Sequence, residues 1–467
     1  MTLQNAKELV KNGERQQALA SFSQLLQTQP KEADFYTSFA SLLFDMGEIV
    51  AAEKMASTAT TQQNITADTW LMCAKIYTKA GYTDPAITSF TEALKLDEKH
   101  QETCFEYGLF LKDKHDYVQA VKYFSEVNTP TAKLYLGLCY KYLGEDEKTQ
   151  NTFLEIIKTD PLYAPVYSQY LNILVDAERF DDFMDLYDNT YIKKHEKTQA
   201  MAILNIGKAL ILYLQNKMEN INELLEISHF DIPKLNIISE RRYLLHMLIF
   251  RQCLRDLMKY KAKNPELYNG EVKERIHVIG DSHTLFSAWL KVNGKEIAPR
   301  LVMGCKIWHL ADKNDNAFRK SFEKIMSGLA KNTKVILSVG EIDCRDDEGF
   351  LPFFLKTPDI KTDEFVKKTV KNYITWAKNI ADKQPLNITI CGVPAPNGST
   401  YAPNTPEGDL KLSIVKTINE SLELFSKENN LGFITPYNDE NGWGKKEDFI
   451  DRFHLKPQVY VGLLEEV

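Results

Sequence analysis

Ser282 is the residue of this chain best placed to do covalent chemistry. The stretch Arg275-Ile276-His277-Val278-Ile279-Gly280-Asp281-Ser282-His283 carries a short apolar strand into a Gly-Asp-Ser turn and then into a helical pattern. Such a turn holds the serine hydroxyl at the carboxyl edge of a sheet. There the next helix offers backbone N–H groups and the positive end of its dipole to a developing oxyanion. That setting suits a nucleophile. Gly and Asp are also ordinary turn residues and Ser an ordinary helix cap, so the tripeptide alone leaves a capped turn as the competing reading.

The elements around it say where further chemistry should gather. Apolar strands are expected at Ile276–Ile279, Leu301–Met303, Val335–Val339, Ile388–Val393 and Phe433–Ile434, with amphipathic helices near 284–292, 315–331, 363–383 and 409–428. Short apolar strands alternating with helices imply a parallel sheet covered on both faces, with sites at the strand carboxyl ends. The expected fold is a three-layer, flavodoxin-like α/β domain on a five-stranded parallel sheet. Polar groups fall where that rule puts them: Gly280-Asp281-Ser282-His283, Gly304-Cys305, Gly340-Glu341-Ile342-Asp343-Cys344-Arg345, Pro394-Ala395-Pro396-Asn397 and, near the end, Asp451-Arg452-Phe453-His454.

Over residues 274–467 this order of blocks resembles the SGNH (GDSL-type) hydrolase superfamily. The resemblance implies that Ser282 is the nucleophile and that the last block supplies Asp451 and His454. The chemistry agrees with that carry-over. A serine hydroxyl is too weakly acidic to attack unaided, so His454 would take its proton, while Asp451, one helical turn away, would accept the Nδ1–H and orient the ring. His283 and His309 are rival bases. In the superfamily the oxyanion donors are the serine N–H, a second-block glycine N–H, here Gly304, and a third-block asparagine from Gly-x-Asn-Asp. This chain has Ile342 at that asparagine position. Losing one such donor costs about 2.7–4 kcal/mol in the transition state. Arg345 is the nearest replacement, either as donor or as a clamp for a substrate carboxylate or phosphate, and it competes with structural pairing to Glu341 or Asp343. Glu341 and Asp343 are placed with Gly304 and Arg345 in the oxyanion and substrate-binding group. Two carboxylates without a histidine make a poor metal signature, and neither metal nor cofactor is expected.

The first half of the chain repeats. Trp70, Ala74, Tyr77, Gly81, Ala86, Phe90 and Ala93 recur 34 residues earlier as Tyr36, Ala40, Leu43, Gly47, Ala52, Ala56 and Ala59. They recur later as Cys104, Gly108, Leu111, Ala120, Phe124 and Val127, and the spacing resumes with Gly137, Tyr140, Gly144, Phe153 and Ile156. A degenerate copy follows with Tyr167, Leu171, Leu174 and Tyr187. Small residues let paired helices approach and aromatics fill the space between pairs. The pattern resembles the tetratricopeptide repeat over residues 1–190, an all-α solenoid. That resemblance implies a groove for a protein or peptide partner, with oligomerisation through the repeats as the other use. Residues 191–262 are expected to cap and connect, and 263–273 to link.

Composition narrows the partners. A net charge of -7 over 467 residues gives no electrostatic footprint for nucleic acid or an anionic membrane. The longest apolar run, Met201 to Leu214, is interrupted by Asn205 and Lys208 and falls short of the ~20 residues of a membrane span. Seven scattered cysteines without a Cys-x-x-Cys pair argue against a zinc site and a disulfide framework. With no secretory signal at the N-terminus, a cytoplasmic protein is expected. Two functions remain. One is a serine-dependent ester hydrolase or O-acyl transferase, with acylated carbohydrate as the substrate class that superfamily habit suggests. The other is a non-catalytic adaptor in which the repeats bind a partner and the second domain is a degenerate binding module.

Overall fold

The computed structural model describes residues 2–190, 192, 197–232, 238–314, 316–397, 405–436 and 443–466. The chain forms two compact units, Met1–Phe153 and Leu154–Val467.

The first unit is a run of paired antiparallel helices, among them Ala33–Asp45 with Ile49–Ala59, Ala67–Ala80 with Thr83–Leu96, and Gln101–Asp113 with Tyr117–Phe124. The small repeat residues Ala40, Ala52, Ala74, Ala86 and Ala120 are fully buried where these helices meet. Aromatics bridge one pair to the next: the ring of Phe90 stacks on that of Tyr107, 4.7 Å between centroids. Gly47 and Gly81 turn each pair with positive φ. Where the next copy has no glycine, His115 takes the same left-handed conformation, φ 62°, and its Nδ1 meets the Tyr117 hydroxyl at 2.7 Å. The turn is therefore set by the packing of the pair, and glycine only makes it cheap.

The second unit begins with helices. Ala164–Asp176, Gln199–Leu214 and Ile238–Lys263 pack together, and their side chains and backbone bond to segments that flank the sheet, at Leu285, Trp289 and Met303. The described residues of the degenerate repeat copy and of the expected connecting segment 191–262 thus fall in the same compact unit as those of 274–467. Gln199–Leu214 shows why: nearly every residue is buried, including Asn205, so this helix has partners on all sides and behaves as core.

The sheet has six strands in the order β2-β3-β1-β4-β5-β6, where β1 is Glu274–Gly280, β2 Lys291–Val292, β3 Lys295–Leu301, β4 Lys334–Ser338, β5 Asn387–Cys391 and β6 Gly432–Ile434. All neighbours are parallel except β2 and β3. The expected five-stranded, wholly parallel sheet is corrected to a mixed one. The expected helix at 284–292 shortens to Thr284–Ser287, and the chain reverses at Trp289, φ 64°, into the small edge strand β2. Asn293-Gly294, both with positive φ, then closes a hairpin into β3. The expected strand at Leu301–Met303 is the end of β3 and the turn after it. Lys295, Glu296, Pro299 and Arg300 disguise β3 in the sequence. Pro299 is tolerated because β2 pairs only Lys295 and Glu296, leaving that flank of β3 open at residue 299.

The chain leaves β1 towards β3, then crosses back to β4, β5 and β6, so β1 lies at the point where the winding direction reverses. Right-handed crossovers put the first connection and the later ones on opposite faces. Ile307–Ala311, Thr362–Lys383 and Pro406–Glu428 pack in sequence with one another, whereas Thr284–Ser287 packs on β3 and on the turn Pro457–Tyr460. A switch point of this kind opens a crevice at the carboxyl end of its strands. Ser282 stands there.

One packing consequence can be tested. A Cβ on Gly137 would lie 2.2 Å from the ring of Phe153, which is fully buried and has nowhere to retreat. Gly137→Ala is expected to destabilise the chain by about 1–3 kcal/mol. An unchanged urea-unfolding midpoint would show that the two helices part without cost.

Candidate active site

The serine is set by backbone contact. A Cβ on Gly280 would fall 1.8 Å from the Ser338 carbonyl oxygen, so only glycine lets β1 and β4 stay this close where the chain enters the turn. The Asp281 N–H donates to that same carbonyl at 3.3 Å, and Asp281 Oδ1 accepts the His283 N–H at 2.9 Å, which folds the turn around Ser282. Asp281 is buried, and burial raises its carboxyl above the ordinary range.

Ser282 Oγ lies 2.8 Å from His454 Nε2, and His454 Nδ1 lies 2.7 Å from Asp451 Oδ2. The two ends of the α/β segment meet in one line of hydrogen bonds. Asp451 Oδ1 accepts the backbone N–H groups of Phe453 and His454, both at 2.8 Å, so its carboxylate is held before the imidazole reaches it. Burial opposes its charge, but the His454 contact and these two N–H donors outweigh burial and keep it well below the ordinary range. The His454 ring is buried and stacks on Phe286, 4.2 Å between centroids. Burial, prevailing over Asp451, lowers its pKa, so at neutral pH it is an unprotonated base.

The rival histidines are engaged elsewhere. His283 is buried with Nδ1 3.3 Å from the Tyr460 hydroxyl and Nε2 3.5 Å from Glu341 Oε2. Burial disfavours its charge, but Glu341 and Asp281 outweigh that and raise its pKa. His309 stacks on Phe318 and accepts the Lys306 N–H at 3.1 Å through Nδ1.

A cavity of about 290 Å³ opens over Ser282 and His454. Gly304, Ile342 and Arg345 line it, and Glu341 and Asp343 do not. Arg345 takes the structural alternative. Its Nε donates to Glu341 Oε2 at 2.8 Å, its Nη2 lies in an ion pair with the same oxygen at 2.7 Å, and its guanidinium lies over the Phe453 ring at 4.6 Å. Burial opposes the charge of Glu341, and Arg345 with His283 outweighs it and lowers the carboxyl to about 2. Asp343 accepts the Ile307 and Trp308 N–H groups at 2.7 and 3.3 Å, capping the helix Ile307–Ala311 rather than pairing with Arg345. Burial pushes its carboxyl up to about 7 against those donors.

The helices ahead of the sheet supply what sequence reasoning missed. The Cys253 thiol, from Ile238–Lys263, donates to Asp451 Oδ2 at 3.5 Å. The Tyr213 hydroxyl donates to the Leu285 carbonyl at 3.0 Å, and Trp289 Nε1 donates to the Tyr213 carbonyl at 2.7 Å. Asp176 Oδ1 accepts the Met303 N–H at 2.7 Å. Arg242, His246, Ile249 and Cys253 form one stripe of the long helix along the cavity. None of these has a local motif; each sits in a helix that reads as repeat or connector. Among the described residues, the group whose ligand atoms lie close enough to hold a metal ion is Cys253, Asp451 and His454.

The first unit has its own cavity, about 390 Å³, lined by Lys7, Asp34, Asp68, Leu71, Lys75 and Glu102 among others. These come from the first helices of successive pairs. Lys7 pairs with Asp34 at 2.7 Å and Lys75 with Glu102 at 3.3 Å, so the groove carries both signs of charge.

The tetratricopeptide repeat family model matches residues 67–100. The helix pairs on either side keep its 34-residue spacing. The N-terminal part of the chain is a tetratricopeptide array. No curated protein matches the chain. Among solved structures it is similar to the C-terminal part of a tetratricopeptide repeat protein from Cytophaga hutchinsonii, at 17% identity over 49% of this chain and 94% of that one, TM-score 0.41. It is also similar to a tetratricopeptide repeat protein from Parabacteroides merdae, at 16% identity over 53% and 97%, TM-score 0.36. A third is YrrB, described as having an unusual peptide-binding site, at 21% identity over 33% and 83%, TM-score 0.30.

The two buried histidines should titrate apart. His454 is expected below 6.5 and His283 above it, and Glu341→Gln should bring His283 down by removing the carboxylate that holds its proton. Imidazole Cε1–H shifts followed by NMR against pH would show this. Two overlapping curves near 6.5 would contradict the assigned environments.

Proposed function

We propose that this chain carries a serine-dependent ester hydrolase or O-acyl transferase site alongside a tetratricopeptide array that binds a protein or peptide. The observation that carries the enzymatic reading is the continuous line from Ser282 Oγ through His454 to Asp451, at 2.8 and 2.7 Å, opening into a cavity. The SGNH-type reading of the segment 274–467, on a flavodoxin-like frame, is drawn from the order of its blocks and from where this line sits. In the reaction, the Ser282 oxygen forms a bond to the ester carbonyl carbon while its proton passes to His454 Nε2, and the carbonyl electron pair moves onto oxygen. Collapse breaks the bond to the alcohol, which leaves with the proton from His454. Water or an acceptor hydroxyl then attacks the acyl-serine by the same steps reversed, which gives hydrolysis or transfer. Acylated carbohydrate is the substrate class put forward.

Ile342 favours a second reading. An aliphatic side chain at the third donor position suits a degenerate module in an adaptor whose work is done by the repeats. The array itself supports a protein-interaction role, and the charged groove on the first helices fits an extended peptide bearing both signs of charge. The seven cysteines are unpaired and buried, which fits the cytoplasmic location we propose. No helix among the described residues is long and apolar enough to cross a membrane.

A fluorophosphonate probe separates the two readings. Wild-type protein is expected to label and Ser282→Ala to remain unlabelled, while Asp451→Asn lowers turnover of p-nitrophenyl acetate on the order of 10⁴-fold. Folded wild-type protein that takes up no probe would favour the adaptor.

A further inference from the structure

Two backbone donors at the site have no acceptor. The N–H groups of Ser282 and Gly304 make no hydrogen bond among the described residues, and both residues line the cavity over His454. They are the pair expected to receive a developing oxyanion. The third position belongs to Ile342, which is buried in the same wall and has nothing to donate.

An amide reaches this cavity from another element. Asn172 lies on the helix Ala164–Asp176, and its half-buried side chain lines the cavity with Ser282, Gly304, Ile342 and His454. Among the described residues its amide has no hydrogen-bond partner. One turn further along the same helix face, Asp176 accepts the Met303 N–H at 2.7 Å, and Met303 directly precedes Gly304. Asp176 is buried, so this contact fixes the helix against the turn that carries the second backbone donor. Residues four apart share a helix face. The anchored turn therefore carries Asn172 on the side where Gly304 opens into the cavity.

We propose that Asn172 supplies the third oxyanion donor, through its Nδ2–H, in place of the group that Ile342 lacks. This rests on the ester hydrolase or transferase reading and deepens it. The donor comes from the helical part of the second unit and not from the sheet. An uncommitted amide costs nothing to recruit, because no existing hydrogen bond has to break when the substrate oxygen becomes negative. Arg345 is not free for the role, being held by Glu341 in a hydrogen bond and an ion pair.

The test uses the full chain and two variants. Asn172→Ala removes the amide, and Asn172→Asp keeps its size while replacing the donor by a negative charge. Thermal unfolding identifies which of them is folded. In a folded variant the fluorophosphonate labelling rate and kcat for p-nitrophenyl acetate should fall about 10²–10³-fold with KM nearly unchanged, since the lost bond is made only in the transition state. A role in packing alone would change the melting temperature and leave kcat in place. Labelling within about threefold of wild type in a folded variant overturns the assignment of Asn172 and leaves the hydrolase reading standing. Unreactive wild-type protein that melts cooperatively removes both.

Discussion

The Asp451 carboxylate is the interaction on which the site depends. It accepts from the N–H groups of Phe453 and His454, from His454 Nδ1 and from the Cys253 thiol. A half-buried carboxylate without such partners would hold its charge, and the imidazole, less firmly. With them it stays charged and aims Nε2 at Ser282. The partners come from two sources. Three are local to the 451–454 turn, and the fourth is on a helix that ends well before the sheet begins.

That division recurs around the cavity. Each segment that brings a reactive group to the sheet edge is also bonded to one of the preceding helices: Leu285 and Trp289 to Tyr213, Met303 to Asp176, Asp451 to Cys253. Arg300 near the end of β3 donates to Glu178, in the turn after Ala164–Asp176, at 2.7 Å. A helix is a stiff support, and bonds from three of them to three loops restrict loops that would otherwise be the mobile parts of an α/β domain.

Much of this was legible in the residues. The Gly-Asp-Ser turn, the Asp451 and His454 pair, and the strands β1, β4, β5 and β6 could be read because each is local: a short apolar run, a tight turn or two residues one helical turn apart. The repeats could be read for the same reason. What escaped was either disguised or distant. Lys295, Pro299 and Arg300 hid β3 behind polar residues, although Asn293-Gly294 was a hairpin signal in plain view. Arg345 left three readings open, and its choice of Glu341 depends on where a 3₁₀ turn points two side chains. Asn172, Asp176, Tyr213 and Cys253 have no sequence signature at all, since their roles exist only once the helices meet the loops around the sheet.

The helices bonded to the loops around the sheet also decide what a smaller piece of this protein would be. A cut at the polar stretch before β1, the natural choice from composition, would strip Leu285, Trp289, Met303 and Asp451 of their helical partners. The second compact unit starts at Leu154, inside what reads as repeat. The repeat-like pattern therefore runs past the boundary between the two units, and its last helices line the cavity over Ser282.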